Sequence, residues 1–194
     1  MSFDLKGALR KLKPQRRAQS LERRADARLR WAVDEPLFGG ALLLDTNVYL
    51  DVLQGRTPEA VDALLASRVC NHSSVCLAEL THAFGRLDPA HPMTKTVLQT
   101  IGDVIADIPG HRLHAPDTAA WGQAGIVAGA LMRLSGSPGK AGHERKFLND
   151  ALIYLQAKAL GAAVLTGNIR DFDLLNQLVP EGRVIVFRRS GQVP

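Results

Sequence analysis

The chain alternates short apolar runs with longer segments in which apolar residues recur at helical spacing. The first apolar run, residues 41–44, has the pattern of a short strand buried on both faces, and it ends abruptly in the polar triplet Asp45-Thr46-Asn47. Further strands are predicted over 71–75, 111–115, 162–166 and 183–187. Helical spacing fills most of the segments between the strands. The pattern therefore predicts an α/β fold with a mainly parallel sheet of about five strands and helices on both faces.

The predicted helices follow the strands in regular alternation. They lie over about 47–54, 58–67, 76–87, 93–106, 116–134 and 147–161. Residues 135–146 between the last two helices are rich in glycine and basic residues and indicate a loop. This loop runs directly into the helix that carries Asp150.

Positive charge is concentrated at the amino terminus. Residues 1–31 hold ten Lys and Arg against three acids, a net +7, so the remaining 163 residues carry −2 of the total of +5. Leucines at helical spacing over 5–12 and 21–29 predict two short helices broken near Pro14. These helices either pack an apolar stripe on the body or on a second copy, or present their arginines to a phosphate backbone, and both can hold at once. We therefore expect two parts, a basic helical arm with its linker over 1–40 and a body over 41–194.

Length and composition bound the class of protein. At 194 residues with 46% apolar content, the chain can bury one core of ordinary size. No apolar run approaches the ~18 residues that a membrane span requires, and the amino terminus has charges where a secretory signal has its apolar core. A cytoplasmic protein without membrane contact is expected. Cys70 and Cys76 are too few and too isolated for a disulfide framework or a cysteine zinc site.

Four acids occupy positions that favour chemistry. Asp45 and Asp171 each follow a strand, while Glu79 and Asp150 lie near helix starts. Carboxylates within ~4–6 Å raise one another's pKa, so a cluster of them is stable at neutral pH mainly with a divalent cation, and an oxygen-only set suits Mg²⁺ or Mn²⁺. Such a site would hydrolyse phosphodiesters. The alternative for each acid is a structural role at a helix dipole.

Four fragments around these acids occur in a fixed order. They are Leu-Leu-Leu-Asp-Thr-Asn-Val at 42–48, Leu-Ala-Glu-Leu at 77–80, Asn-Asp-Ala-Leu-Ile at 149–153 and Val-Leu-Thr-Gly-Asn-Ile-Arg-Asp-Phe at 164–172. Together they resemble the PIN-domain ribonucleases, in particular the VapC-type toxins of bacterial toxin-antitoxin pairs. The resemblance covers roughly 42–187 and implies a PIN-like three-layer fold.

The resemblance also implies which residues form the site. The catalytic, metal-binding acids would be Asp45, Glu79, Asp150 and Asp171, with Mg²⁺ as the metal and Mn²⁺ as a second candidate. The side chains that support the metal site and the scissile phosphate would be Thr46, Asn47, Thr166 and Asn168. Asp173 is an alternative to Asp171, but the Asn-x-x-Asp-Phe pattern selects Asp171. Asp51, close after Asp45, is expected to face solvent.

The implied activity is a metal-dependent endoribonuclease, the toxin of a toxin-antitoxin pair. The expected partners are an RNA substrate, a cognate antitoxin protein and a second copy of the chain in a homodimer. The basic arm and the long stretch between Glu79 and Asp150 depart from the usual, shorter family chains and leave the substrate and the antitoxin contact open. Two alternatives remain: a catalytically silent PIN-like module that binds RNA or protein, and an RNA-maturation nuclease without an antitoxin. The presence of all four acids favours an enzyme.

Overall fold

The computed structural model describes residues 3–136 and 142–191 and contains the five predicted strands. These are β1 Leu42–Leu44, β2 Cys70–Ser73, β3 Leu113–His114, β4 Ala163–Thr166 and β5 Arg183–Val186. They pair in parallel in the order β3-β2-β1-β4-β5. The predicted three-layer α/β fold, with helices covering a parallel sheet, is confirmed.

The described residues form eight α-helices. These are α1 Leu5–Leu12, α2 Thr46–Leu53, α3 Glu59–Ser67, α4 Ser74–Arg86, α5 Thr94–Ala106, α6 Thr118–Leu134, α7 His143–Ala159 and α8 Ile169–Leu178. No described helix combines the length and apolar character needed to cross a membrane. Helix α8 was not indicated by the sequence pattern, and it gives Asp171 a helical setting.

The order of the strands fixes where a ligand can bind. From β1 the chain adds β2 and β3 on one side, then returns to the other side of β1 to add β4 and β5. The carboxyl ends of β1 and β4 therefore flank the point where the topology changes direction, which is where open α/β sheets bind ligands. Asp45 follows β1 directly, and Thr166 is the last residue of β4.

The core lies on both faces of the two central strands. Leu42 and Leu43 of β1 and Val164 and Leu165 of β4 are fully buried, as the uninterrupted apolar runs predict. Helices α6 and α7 pack against each other over much of their length. The small and apolar residues of α6 that face inward include Ala124, Val127 and Leu131.

The amino-terminal arm packs on the body. Helix α1 lies against α6, and Leu12 belongs to the main hydrophobic cluster together with Ala32. The predicted second helix over 21–29 is wrong, because this segment is extended apart from a short 3-10 turn at Asp26–Arg28. Two of its backbone N–H groups bond to the body: Leu21 donates to the carbonyl of Leu134 at 2.8 Å, and Arg24 donates to the Asp173 carboxylate at 2.8 Å. The division of the chain at residue 40 stays a prediction.

The predicted loop over 135–146 is shorter than the sequence suggested. Residues 137–141 of it lie outside the described part of the chain. Helix α7 begins at His143, four residues before the predicted start, after Gly142 in the left-handed region with φ of 83°. Lys146 therefore belongs to the first turn of α7, on the helix that carries Asp150.

Candidate active site

Asp45 lies at the carboxyl end of β1 and caps the amino terminus of α2. It is 4% exposed and accepts hydrogen bonds from the Thr46 N–H at 2.7 Å and the Thr166 hydroxyl at 2.6 Å. The Asn47 amide also donates to it. A buried carboxylate is costly unless it is hydrogen-bonded, and the start of α2 supplies donors together with the positive end of the helix dipole.

Glu79 reaches the same place from α4. One carboxylate oxygen accepts a hydrogen bond from the Thr46 hydroxyl, and the other accepts one from the Asn149 amide at 2.7 Å. Asn149 was not among the predicted site residues. The available signal was its place directly before Asp150, since both residues lie on the turn of α7 that approaches the sheet edge.

Asn168 connects the remaining two acids. Its side-chain amide donates to Asp150 Oδ2 at 3.0 Å and to Asp171 Oδ2 at 3.1 Å. Asp150 belongs to α7 and Asp171 to the first turn of α8, and both are buried. The four predicted acids therefore come from four different elements and converge at one edge of the sheet.

A hydroxyl and an amide tie the loops after β1 and β4 together. The Thr166 hydroxyl accepts hydrogen bonds from the Asn47 amide at 3.1 Å and the Asn168 N–H at 2.8 Å while it donates to Asp45. The Asn47 carbonyl oxygen accepts from the Gly167 N–H at 2.9 Å. All four predicted supporting residues thus contact an acid, and together they fix the spacing of the carboxylates.

Burial and mutual repulsion control the protonation of the cluster. Burial raises the pKa of Asp45 to about 6; hydrogen bonds from Thr166 and Thr46 oppose this shift, and the charge of Glu79 adds to it. Burial also raises the pKa of Asp150 well above its ordinary value, and the charge of Asp45 adds to this shift. The protein's own donors therefore leave the negative charge of the cluster incompletely balanced, and the site favours a cation.

One cation of the chain already lies at the cluster. The Lys146 ammonium donates to Asp171 Oδ2. Burial disfavours the charged amine, but the hydrogen bond to Asp171 and the charges of Asp150, Asp171 and Asp45 outweigh it and raise the pKa of Lys146. The sequence pattern predicted Lys146 in a loop, without a role in the site. Its signal is the spacing of four residues to Asp150, which puts both on one face of a helix.

Asp45, Glu79 and Asp150 line a cleft of about 500 Å³, and Asp171 contacts two other residues of its wall, Lys146 and Asn168. Leu50, Lys146 and Arg189 contribute to its walls beside the predicted residues. Arg189 also forms a salt bridge with Asp51 at 2.8 Å, and Arg56 contacts the same carboxylate at 3.0 Å. The expectation that Asp51 faces solvent is wrong, because its side chain is fully buried between these two arginines.

Asp173 does not belong to the cleft. Its fully buried carboxylate lies 2.6 Å from the Arg24 guanidinium and 2.8 Å from the Arg24 N–H. The choice of Asp171 over Asp173 therefore agrees with the geometry, since only Asp171 contacts the other acids through Asn168.

The chemical type of the converging ligand atoms suits a hard divalent cation. The converging groups are carboxylate and amide oxygens, which Mg²⁺ and Mn²⁺ prefer. Within 3–136 and 142–191, no three Asp, Glu, His or Cys side chains are arranged to hold a metal ion as they stand. Oxygens of Asp45, Glu79 and Asp171 accept hydrogen bonds from protein donors. A metal would take over some of these acceptor oxygens.

Comparison with known proteins yields no sequence-level relative, because no family model and no curated protein matches the chain. Several solved structures resemble it, among them the following two. One is a chain of VapBC2 from Rickettsia felis, crystallised on a DNA fragment from the promoter, with 15% identity over 76% of this chain and 98% of that chain and a TM-score of 0.51. The other is a chain of DNA-bound VapBC from Salmonella typhimurium, with 24% identity over 75% of this chain and 97% of that chain and a TM-score of 0.49.

The likeness to the Rickettsia felis protein concerns the fold. At 15% identity it shows that this chain has the VapC-like PIN fold, and the predicted resemblance is confirmed at that level. The chemistry must be argued from the residues of the cleft.

Proposed function

We propose that the protein is a metal-dependent endoribonuclease of the VapC type. The observation that carries the proposal is the convergence of four carboxylates, from the end of β1 and from α4, α7 and α8, in one hydrogen-bonded cluster at the topological switch of the sheet, where three of them line a cleft. Structural acids at helix starts would have no reason to share amide and hydroxyl donors across four elements. A shared network that keeps acids close despite their repulsion is typical of a catalytic site.

The metal would be held by Asp45, Glu79, Asp150 and Asp171, with Mg²⁺ preferred and Mn²⁺ as the second candidate. A divalent ion there would balance the charge of the cluster, polarise the attacking water and stabilise the charge that builds on a phosphodiester during hydrolysis. The raised pKa of Asp45 and of Asp150 supports this assignment, because burial, with a smaller contribution from neighbouring carboxylates, disfavours the charged form of both acids and a bound cation would offset that cost.

The residues of the chain have separate tasks in this proposal. Thr46 and Asn168 keep Glu79, Asp150 and Asp171 in place through the hydrogen bonds described above. Asn47 orients Asp45 and the Gly167 peptide on the wall of the cleft. Precise placement of reacting groups is worth several kcal/mol of activation free energy in enzymes generally. These side chains therefore support the scissile phosphate and the metal site.

The biological role we propose is that of a toxin with a dedicated antitoxin. The fold likeness to a VapBC complex supports a protein partner for this chain. The homodimer and the RNA substrate are proposed on the resemblance to VapC-type toxins. A copurifying small protein encoded beside this gene would support the toxin role, whereas robust cleavage by a chain that never acquires such a partner would favour an RNA-maturation nuclease.

The deciding experiment is cleavage of a mixed cellular RNA pool by the purified protein with Mg²⁺, with Mn²⁺ and with EDTA. Asp45→Asn is the inactive variant, and Asp173→Asn is its matched control because that acid lies outside the cleft. We expect metal-dependent fragments from the wild type and the control alone. Undiminished cleavage by Asp45→Asn contradicts the assignment, and RNA binding without cleavage by a partner-free wild type favours the silent module.

A further inference from the structure

The arm follows a fixed course across α8 to the outer edge of β5. The Arg17 guanidinium donates to the carbonyl oxygens of Gln177 at 3.1 Å and Leu178 at 2.9 Å, at the carboxyl end of α8. Further along, Arg24 is held by Asp173. The arm then bridges to β5, where the Val186 N–H donates to the Arg30 carbonyl at 2.9 Å. The positions of its arginines are therefore set by the body.

A small groove lies between the arm and the edge of β5. Four arginines line it: Arg24, Arg28 and Arg30 from the arm, and Arg183 from the strand. We call it the arginine groove. Its volume of about 200 Å³ lies below the roughly 300–1,000 Å³ of sites for drug-sized ligands. A single phosphate group suits such a space better than a whole nucleotide does.

The arginine groove has an excess of positive charge. Asp173 is its one carboxylate among the described lining residues, and it is already engaged by Arg24. Arg30 is held by Glu35 at 2.6 Å. Arg183 donates to a neutral acceptor, the Gly161 carbonyl. The Arg28 side chain makes no hydrogen bond or ion pair with any described residue. Two guanidinium groups thus line the groove without a carboxylate partner.

A backbone donor completes the groove. The Phe187 N–H points inward to the Thr166 carbonyl at 3.1 Å, while the Val186 N–H points outward to the arm. Peptide groups alternate in direction along a strand, so the Val184 N–H points outward as well. Val184 lines the groove. Guanidinium groups and a free edge N–H together form a binding site for an oxyanion.

We propose that the arginine groove binds a backbone phosphate of RNA, as an anchoring site separate from the catalytic cleft. This inference rests on the proposed function for the identity of the ligand. Helix α8 presents Asp171 to the acid cluster beside the cleft and Asp173 to the arm, so the two sites flank one helix, which is about 10–12 Å across. One RNA strand that passes over α8 can occupy both sites at once.

The test measures RNA binding separately from cleavage. A fluorescent single-stranded RNA is titrated at several salt concentrations in the Asp45→Asn background, with and without Arg28→Gln plus Arg183→Gln. Each neutralised phosphate contributes about 0.7 to the slope of log affinity against log salt for single strands, and the groove holds one phosphate, so we expect the double change to reduce the slope by about 0.7. The matched control is Arg86→Gln plus Lys95→Gln, which removes the same charge from the exposed surfaces of α4 and α5 and should change the slope by much less.

The outcomes separate this proposal from the proposed function. An unchanged slope in the groove variant, or an equal reduction in the control, overturns the groove as an RNA site even if the wild type cleaves RNA with Mg²⁺. A reduced slope supports the groove even if the wild type cleaves nothing. Inorganic phosphate tests the other source of the same chemistry. If it raises the melting temperature of the wild type but not of the groove variant, while the RNA slope is unchanged, the groove binds free phosphate and the RNA assignment is wrong.

Discussion

The Arg24 guanidinium lies 2.6 Å from the buried carboxylate of Asp173, whereas Asp171, two residues earlier on the same helix, contacts Asn168 and Lys146. Successive residues of an α-helix are about 100° apart, so these two acids point to opposite sides of α8. One side faces the acid cluster and the other faces the arm. The two carboxylates therefore have different tasks, although they share a sequence motif.

This separation predicts opposite effects of two matched substitutions. Asp171→Asn should abolish RNA cleavage with little change in the free energy of unfolding. Asp173→Asn should retain cleavage and lose about 3 kcal/mol of stability, the lower end for breaking a buried ion pair, because Arg24 is partly exposed and can be rehydrated. Urea unfolding and RNA cleavage check both variants. Wild-type cleavage by Asp171→Asn, or full stability of Asp173→Asn, would contradict the assignment.

Much of the sheet and the acid cluster could be predicted from the sequence. Two apolar runs that end in polar residues predicted β1 and β4. Parallel pairing then brings the carboxyl ends of these strands to one edge of the sheet. That is why Asp45 and Thr166 could be expected to meet. In these segments the local hydrophobic pattern agrees with the strand topology, so periodicity alone predicted the two strands.

The remainder depended on contacts between distant segments. The arm over 21–29 has helical spacing, but its polar groups bond to Leu134 and Asp173, which lie more than a hundred residues away. The sequence pattern around Asp51 is that of an exposed helix residue. In the fold, Arg189 from near the carboxyl terminus forms a salt bridge with it. A pattern within one segment carries no information about such partners.

Because folding raises the pKa of Asp45, the free energy of unfolding of the protein depends on pH. The pKa increases from 3.8 in the unfolded chain to about 6 in the folded protein, so this group favours folding fully below about pH 4 and loses that contribution as the pH rises through 6. The loss amounts to about 3 kcal/mol. Asp45→Asn resembles the protonated form. In EDTA, we expect the variant to be more stable than the wild type at pH 8, with the difference vanishing near pH 4.

Urea unfolding at both pH values checks this expectation. Glu59→Gln is the control, since it removes an acid from the start of α3, away from the cleft. A stability difference between Asp45→Asn and wild type that is the same at pH 4 and pH 8 would show that the effect is not electrostatic.

Asn168 should matter for activity more than for folding. Its amide is the shared donor of Asp150 and Asp171, and losing a group that orients metal-binding side chains typically costs 10–100-fold in activity or metal affinity. We expect Asn168→Ala to lose about that much cleavage at an almost unchanged melting temperature. Asn176→Ala on the same helix is the matched comparison. It breaks hydrogen bonds to Tyr154 and Gly182, so it should lose stability and keep cleavage. The reverse pattern would refute these roles.

Removing the arm should destabilise the body. Deletion of residues 1–33 exposes the face of α6 under α1 and removes Leu12 and Ala32 from the core. Burial of a leucine side chain alone is worth about 1.5–3 kcal/mol, and Arg17 and Arg24 add contacts to α8. We expect a loss of roughly 3–5 kcal/mol, a large share of the ~5–15 kcal/mol typical of a domain. A truncated protein with wild-type urea unfolding would show that the arm is a separable appendage.

Lys146 should compete with a divalent cation for the acids. Its ammonium donates to Asp171 and is attracted by Asp150 and Asp45, so a metal ion entering the cleft meets a positive charge already in place. The Lys146 side chain is 52% exposed, and solvent therefore screens much of this repulsion. A residual of about 1 kcal/mol corresponds to a five- to tenfold change in affinity. We expect Lys146→Met to lower, by that factor, the concentration of Mg²⁺ or Mn²⁺ that produces half of the metal-induced rise in melting temperature.

Lys158→Met is the control, because Lys158 lies on the same helix near Glu181 and outside the cleft. Equal midpoints for Lys146→Met and Lys158→Met would mean that Lys146 does not oppose the metal. Cleavage at saturating metal then isolates the other role of the side chain: if Lys146 also contacts the scissile phosphate, Lys146→Met will bind metal more tightly and still cleave more slowly.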